Sequence, residues 1–359
     1  VAITRIGNPA IADQKGVNFR NIIINGGMDL AQRGTSHTTA SGYTLDRFTW
    51  TDDSTSAFTI TQSNDVPSGQ GFATSMKFDC TTANGSLGSS DQIRQVQQIE
   101  GQNLQYLKYG TSSAESLTCS FWVKSNKTGI YCVTLTQPDD NFSANTLEYT
   151  ISSADTWEKK TVTFSGDTGG VINNDNGAGL WLMFAFGAGS GRHMTANQWN
   201  SSYGLSTSNQ VNLADNTSNE LYLTGVQLEA GEVASDFEFL PFDVNENRCL
   251  RYFRVVGDTV SGSVAFGNGF TGAYNTTTQI IAGRQLPVRM RAAPTVTFSA
   301  IGTFDLEPFD VSPTSLVAQN TSPNEVVLNA IDPSARTKGF ACVITVDTEG
   351  GYVRMDAEL

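Results

Sequence analysis

The sequence predicts an all-β protein made of a large β-sandwich, a short linking helix and a smaller C-terminal β-sandwich. Three observations carry this. Gly accounts for 34 of 359 residues and charged residues for only 16%, a balance that suits turns and strands rather than helical bundles. Short runs in which apolar and polar residues alternate recur along the chain. Between them lie clusters with turn chemistry, such as Asn84-Gly85, Asp139-Asp140-Asn141 and the stretch from Asn173 to Gly177.

Residues 1–20 carry Gly7, Pro9 and Gly16 with no usable period and read as an extended arm. From Asn21 to Asp243 come strand-length runs: Phe58 to Ile60, Ser75 to Cys80, Leu117 to Val123, Ile130 to Leu135, Thr161 to Phe164, Leu180 to Phe186 and Leu221 to Val226. In the third of these, a period of two puts Leu117, Cys119, Phe121 and Val123 on one face and Ser120, Trp122 and Lys124 on the other. Two segments carry helical spacing instead. One is Asp91 to Tyr109, with Ile93, Val96, Ile99, Leu104 and Leu107 and an interruption at Gly101; the other is Val244 to Val255, with Asp243 as N-cap and Leu250 and Phe253 three apart. After Gly257 strands resume at Val264 to Phe266, Gln279 to Ala282, Thr295 to Phe298, Glu325 to Leu328 and Phe340 to Val346. The chain therefore divides into an arm (1–20), a sandwich (21–243), a linker helix (244–256) and a C-terminal sandwich (257–359), with no internal repeat that would support a solenoid or propeller.

With 35 acidic residues against 22 Lys and Arg, the net charge is −13, which disfavours nucleic acid as a partner. The longest apolar run, Ala178 to Phe186, is far short of the roughly 20 residues that span a bilayer, so no membrane insertion is expected. The N-terminal residues show no basic segment followed by an apolar one, and synthesis in a cytoplasm is the expectation. Cys80, Cys119, Cys132, Cys249 and Cys342 are scattered without metal or disulfide spacing and read as buried reduced thiols.

Candidate chemistry is sparse. Gly267 to Gly272 matches GxGxxG, yet no helical pattern follows to receive a phosphate, so it reads as a turn. His37 and His193 are the only histidines, too few for the usual zinc set, and no GxSxG elbow supports a triad; each reads as a solvated loop residue. Asp52-Asp53 and Asp139-Asp140 sit in turn-rich loops, and the spacing of a calcium-binding EF-hand is absent. The polar stretch from Gly187 to Asn219 is more informative. Among its Gly, Ser, Asn and Gln it holds Arg192, His193, Trp199 and Tyr203, whose rings can stack on sugars and whose polar groups can meet sugar hydroxyls. The competing reading is that Trp199 merely pins a long loop onto the sandwich.

Several blocks carry a resemblance. The run from Asn21 to Met28, then Ala31 to Gly34 and Asp46 to Phe48, is similar to the opening of tail-fibre-like structural proteins of tailed bacteriophages. Later blocks follow in family order: Leu223 to Gly231 with Phe237 to Phe239, Cys249 to Phe253, and Leu286 to Pro294. The resemblance implies a jelly roll like that of carbohydrate-binding modules, joined by a short helix to a smaller β domain in a non-enzymatic, commonly trimeric virion appendage. It also implies a virion location, assembly in the host cytoplasm, docking to other virion proteins through the arm, and recognition of host surface glycans. A capsid- or baseplate-attached fibre or decoration protein without glycan binding is the alternative. A tail-spike depolymerase is weaker, for want of a β-helix repeat and a carboxylate pair. No cofactor is expected. The Asn25-Gly26-Gly27-Met28 segment departs from the commoner acidic form of the binding modules, so no motif supports a structural calcium.

Overall fold

The computed structural model describes residues 19–257, 269–346 and 350–359. All but the last two residues of the expected arm, and the expected strand Val264 to Phe266, lie outside the described residues. The chain forms two compact units, Val1–Pro241 and Phe242–Leu359.

In the first unit the strands are β1 (Ser36–His37), β2 (Ser41–Tyr43), β3 (Phe48–Asp52), β4 (Ala57–Ser63), β5 (Ser75–Thr82) and β6 (Gln92–Glu100). They continue with β7 (Leu117–Ser125), β8 (Gly129–Gln137), β9 (Ser143–Ile151), β10 (Glu158–Phe164), β11 (Ala178–Ala188), β12 (Trp199–Asn200) and β13 (Glu220–Ala230). A six-stranded sheet runs β1-β4-β5-β13-β7-β10, and a seven-stranded sheet runs β12-β9-β8-β11-β6-β3-β2. Strand pairing is antiparallel in both, with crossovers between the sheets, as in a jelly-roll sandwich. Leu117, Cys119, Phe121 and Val123 are fully buried between the sheets, as their alternation predicts. Aromatic contacts join the two layers: Phe78 of β5 meets Phe186 of β11 at 4.6 Å between ring centres and Trp50 of β3 at 5.4 Å. Burying a Phe side chain contributes about 1.5–3 kcal/mol, so these contacts anchor the fold.

The expected helix at 91–109 is not formed. Gln92 to Glu100 is instead β6, hydrogen-bonded between β3 and β11, and two 3-10 turns follow at Gly101–Asn103 and Gln105–Leu107. The physical reason is that two core-facing positions of this strand hold glutamine. Gln97 is buried because its amide bonds both the N–H of Ile24 (2.7 Å) and its carbonyl (2.8 Å), tying the N-terminal segment to the sheet. With Gln95 and Gln97 inside, the apolar residues left visible are Ile93, Val96 and Ile99, whose spacing mimics a helix.

The blocks of the resemblance that lie in the first unit meet at one place. Asn21 Oδ1 accepts from the N–H of Ile23 (3.0 Å) and of Leu228 (3.1 Å), and its Nδ2 donates to Val226 O (3.1 Å). Backbone bonds Ile22 N to Leu228 O and Val226 N to Gly26 O, both 2.9 Å, flank this joint. A Cβ on Gly26 would stand 2.1 Å from Val226 O, so no other residue fits there. Asn25 takes a left-handed conformation (φ 61°) and bonds Leu30 N, Leu30 O and Asp46 O.

The second unit opens with helix α1 (Phe242–Leu250), within which Asp243 lies in the first turn rather than capping it. The helix was expected to continue to 255, but Phe253–Val256 is strand β14, and Val256 packs in this unit's core. The β-branched pair Val255-Val256 favours that extended form. The remaining strands are β15 (Phe270–Tyr274), β16 (Gln279–Gln285), β17 (Thr295–Phe298), β18 (Phe304–Glu307), β19 (Ser315–Ser322), β20 (Glu325–Ile331), β21 (Ala341–Val346) and β22 (Val353–Asp356). They form a three-stranded sheet, β14-β22-β17, and a six-stranded sheet, β18-β21-β15-β16-β20-β19. The described part of the GxGxxG match lies in β15 and its approach, not in a turn. Its Gly272 lets β16 come close, since a Cβ there would meet Ile281 O at 1.9 Å. The five cysteines are buried and form no disulfide.

Candidate functional site

The outer face of the seven-stranded sheet collects the side chains with unspent polar capacity. Along β11, Leu180, Leu182, Phe184 and Phe186 enter the core, which turns Trp181, Met183 and Ala185 outward. Register places Trp181 beside Gln98 and Thr136, Met183 beside Val96 and Thr134, and Ala185 beside Arg94 and Cys132. Val96, Cys132, Met183, Ala185 and Leu205 form a small apolar floor, edged by Trp181 and Tyr203.

The segment between β11 and β13 folds back over part of this face. Thr134 Oγ1 donates to Leu205 O (2.8 Å), Leu205 N to Arg192 O (2.9 Å) and Met194 N to Ser206 O (2.8 Å). This carries Tyr203 to the floor, where its hydroxyl donates to Gln92 Oε1 (2.6 Å) while Gln92 Nε2 donates to Asp53 Oδ2 (2.6 Å). From the other side the turn between β8 and β9 presents Phe142, which is 38% exposed and held at φ 57°, next to Asn141 at φ 50°. A left-handed phenylalanine is uncommon and costs free energy, and here it sets the ring edge-on to Trp181 (5.4 Å) and Tyr203 (6.4 Å).

Charge completes the face. The Arg94 guanidinium carbon lies 5.6 Å from the ring centres of both Trp181 and Tyr203, and that of Arg192 lies 5.2 Å from Tyr203. Burial pulls the Arg94 guanidinium below its usual value; the Arg192 charge acts in the same direction and Asp53 against it. Burial likewise pushes the Tyr203 phenol up. Arg94 Nε, Trp181 Nε1, Thr136 Oγ1 and Ser206 Oγ are buried without a hydrogen-bond partner. An aromatic shelf with such groups can stack on one flat, partly apolar ligand and bond its edges.

Of the four residues singled out in the sequence, the structure brings Arg192 and Tyr203 together. His193 stands beside them on the exposed rim, its Nε2 3.3 Å from Ala188 O. Trp199 does not join them. It pairs with Asn145 of β9, packs on the inter-sheet core with its ring edge-on to Tyr109 (5.9 Å), and donates Nε1–H to Ser165 O (2.9 Å). Sequence reasoning missed Trp181, Phe142, Arg94 and Gln92, and placed Asp53 only in a turn-rich acidic pair. A signal for Trp181 existed, because the alternation from Leu180 to Phe186 already turns it away from the core.

The acidic pairs serve their loops. Asp52 accepts from Ser54 N (2.9 Å), Ser54 Oγ (2.8 Å) and Ser56 Oγ (2.7 Å), and Asp139 accepts from Asn173 N (2.9 Å) and Nδ2 (2.8 Å). Among the described residues no three His, Cys, Asp or Glu side chains gather as a metal set.

No family model and no curated protein matches the chain. Among solved structures it is similar to the enzymatically active domain of tailspike protein 4 of bacteriophage CBA120, at 14% identity over 59% of this chain and 21% of that one, TM-score 0.33. It is similar also to a family 4 carbohydrate-binding module (13% identity, 57% of this chain, 97% of that one, TM-score 0.30). A family 11 module from Clostridium thermocellum in complex with a mixed-linked tetrasaccharide is a third (10% identity, 56% and 98%, TM-score 0.29). The chain spans about a fifth of the tailspike chain.

Proposed function

We propose that the first unit is a glycan-binding module on a non-enzymatic, trimeric appendage of a bacteriophage virion, attached to other virion proteins through the arm at residues 1–20. The observation that carries the glycan reading is the shelf of Trp181, Phe142 and Tyr203 on the outer face of the seven-stranded sheet, with Arg94 and Gln92 at its edge. Aromatic faces stack on the C–H face of a pyranose ring, and the polar edge meets its hydroxyls. The blocks resembling tail-fibre-like proteins support the virion part of the reading. The non-enzymatic part draws support from Asp52 and Asp139, whose carboxylates are engaged by Ser54 and Ser56 and by Asn173 respectively.

A glycan array probed with the whole protein tests the reading, together with imaging of particles by a tagged copy. Binding to a restricted glycan set and tagged density on the virion are expected; an array without hits sinks the glycan reading. A virion part without glycan binding is the second reading. It is favoured by one fact: the first of the resembling blocks is spent on folding, with Asn21, Gly26 and Asn25 all inside the joint to β13 and to Asp46.

A further inference from the structure

On the outer face of the seven-stranded sheet two guanidinium groups lie near one phenol ring. Arg94 and Arg192 lie 5.6 and 5.2 Å from the centre of Tyr203, and neither forms an ion pair with a carboxylate among the described residues. Arg94 is half-buried, with Nε lacking any partner and Nη1 meeting only Met183 Sδ (3.0 Å), a weak acceptor. Arg192 spends Nε on Ser90 O (3.1 Å) and has no protein partner for either Nη. Two like charges set around one ring repel, and partial burial strips them of water, so the arrangement costs free energy until an anion joins it. The protein has acidic residues in excess, at net charge −13, yet the carboxylate beside this pair, Asp53, is engaged by Gln92 instead.

We propose that Arg94 and Arg192 recognise an acidic saccharide, whose ring stacks on Trp181 while its carboxylate bridges the two guanidinium groups. This rests on the glycan-binding reading and narrows it to polymers of the uronic-acid type. Arg suits the task because its planar fork gives two parallel N–H···O bonds to a carboxylate. The 5.6 Å separation of Arg94 from the Trp181 ring places that fork next to the stacking surface. Asp53 opposes the anion with one charge against two, which makes its removal a test of sign.

Calorimetric titration of the whole protein with hexagalacturonate and with the neutral xylohexaose, at about 0.15 M salt, reads the preference. The acidic oligosaccharide is expected to bind at least about tenfold more tightly. Arg192→Gln and Arg94→Gln should each remove most of that ratio, and Asp53→Asn should raise it. If Arg94→Gln fails to fold, Arg192→Gln, at the more open edge, carries the test. Dextran sulfate separates carboxylate recognition from bulk charge and should bind more weakly than polygalacturonate. Equal affinity for acidic and neutral oligosaccharides, unchanged in the variants, overturns the inference and leaves glycan binding standing. Tighter binding of dextran sulfate that vanishes in about 0.5 M salt overturns it as ion exchange. Absence of binding to either oligosaccharide overturns the inference, and the glycan array then decides the wider reading.

Discussion

On the outer face of the six-stranded sheet, Tyr222 is flanked by Lys124 and Lys77, at 4.2 and 5.6 Å from its ring centre, with Trp157 alongside. On the outer face of the seven-stranded sheet, Tyr203 is flanked by Arg192 and Arg94 at 5.2 and 5.6 Å, with the Trp181 ring centre 5.6 Å from Arg94. The parts correspond, but they are completed differently. Lys77 pairs with Glu220 (2.7 Å) and Asp79 (3.5 Å), Lys124 pairs with Asp65, and Trp157 donates to Asp65 Oδ1 (3.0 Å). On the other face, among the described residues, neither arginine forms an ion pair and the Trp181 N–H has no acceptor. A tryptophan, a tyrosine and two cations thus make a solvated surface in one place and a candidate site in the other. What distinguishes them is whether the polar groups are already answered from within the chain.

Substitutions separate the two faces. The largest effect on stability is expected at Trp199, which belongs to neither outer face. Trp199→Ala should cost about 2–3 kcal/mol, below the range for a fully buried tryptophan because the side chain is only half-buried. Denaturant unfolding measures this, and glycan affinity per folded molecule should hold; a lost affinity with unchanged stability would return Trp199 to the binding surface.

Next in size is the contrast between the two outer tryptophans. Trp181→Ala should weaken glycan binding by about tenfold or more, as expected for removal of an aromatic anchor, whereas Trp157→Ala should leave the titration curve where it was. Equal losses from both would dissolve the distinction drawn here.

The smallest effect belongs to Asp65. Burial raises its carboxyl, but the hydrogen bonds from Lys124 and Trp157 and the Lys124 charge outweigh it and hold the group below the usual range. A depressed carboxyl stabilises the fold above its unfolded value and loses that contribution as the pH falls through the folded one. Asp65→Asn should therefore cost less than about 1 kcal/mol at neutral pH, as exposed ion pairs do, and the gap to the parent should close in acid. A gap that widens in acid would contradict the assignment.

The strands were legible wherever alternation and burial agree. Leu117, Cys119, Phe121 and Val123 announce β7 because each core position holds an apolar residue. The segment 92–100 was not, since Gln95 and Gln97 occupy core-facing positions for reasons that lie elsewhere in the chain, Gln97 being there to bond Ile24. Strands as short as β1, β2 and β12 have too few residues to show any period. In the site, loop composition pointed to Arg192 and Tyr203. It could not tell that Trp199, a few residues before Tyr203, turns inward, because side-chain direction in an irregular segment is set by its anchors. Arg94 stayed hidden in a stretch with helical spacing, and Phe142 in a cluster of turn residues.

The joint between Asn21 and β13 has a mechanical consequence. The segment entering the first unit at Phe19 and Arg20 is bonded to Glu238, Ser235 and Asp236, close to where the chain leaves it, and the Ile22–Leu228 and Gly26–Val226 bonds lie just behind. Tension applied between residue 20 and residue 241 is therefore borne across this clasp, over a short path beside β13. Trp181 stands on β11, in the sheet that does not contain β13, and its part of the outer face would keep its shape until the clasp gave way, whereas β6, tied to Ile24 through Gln97, would share the load.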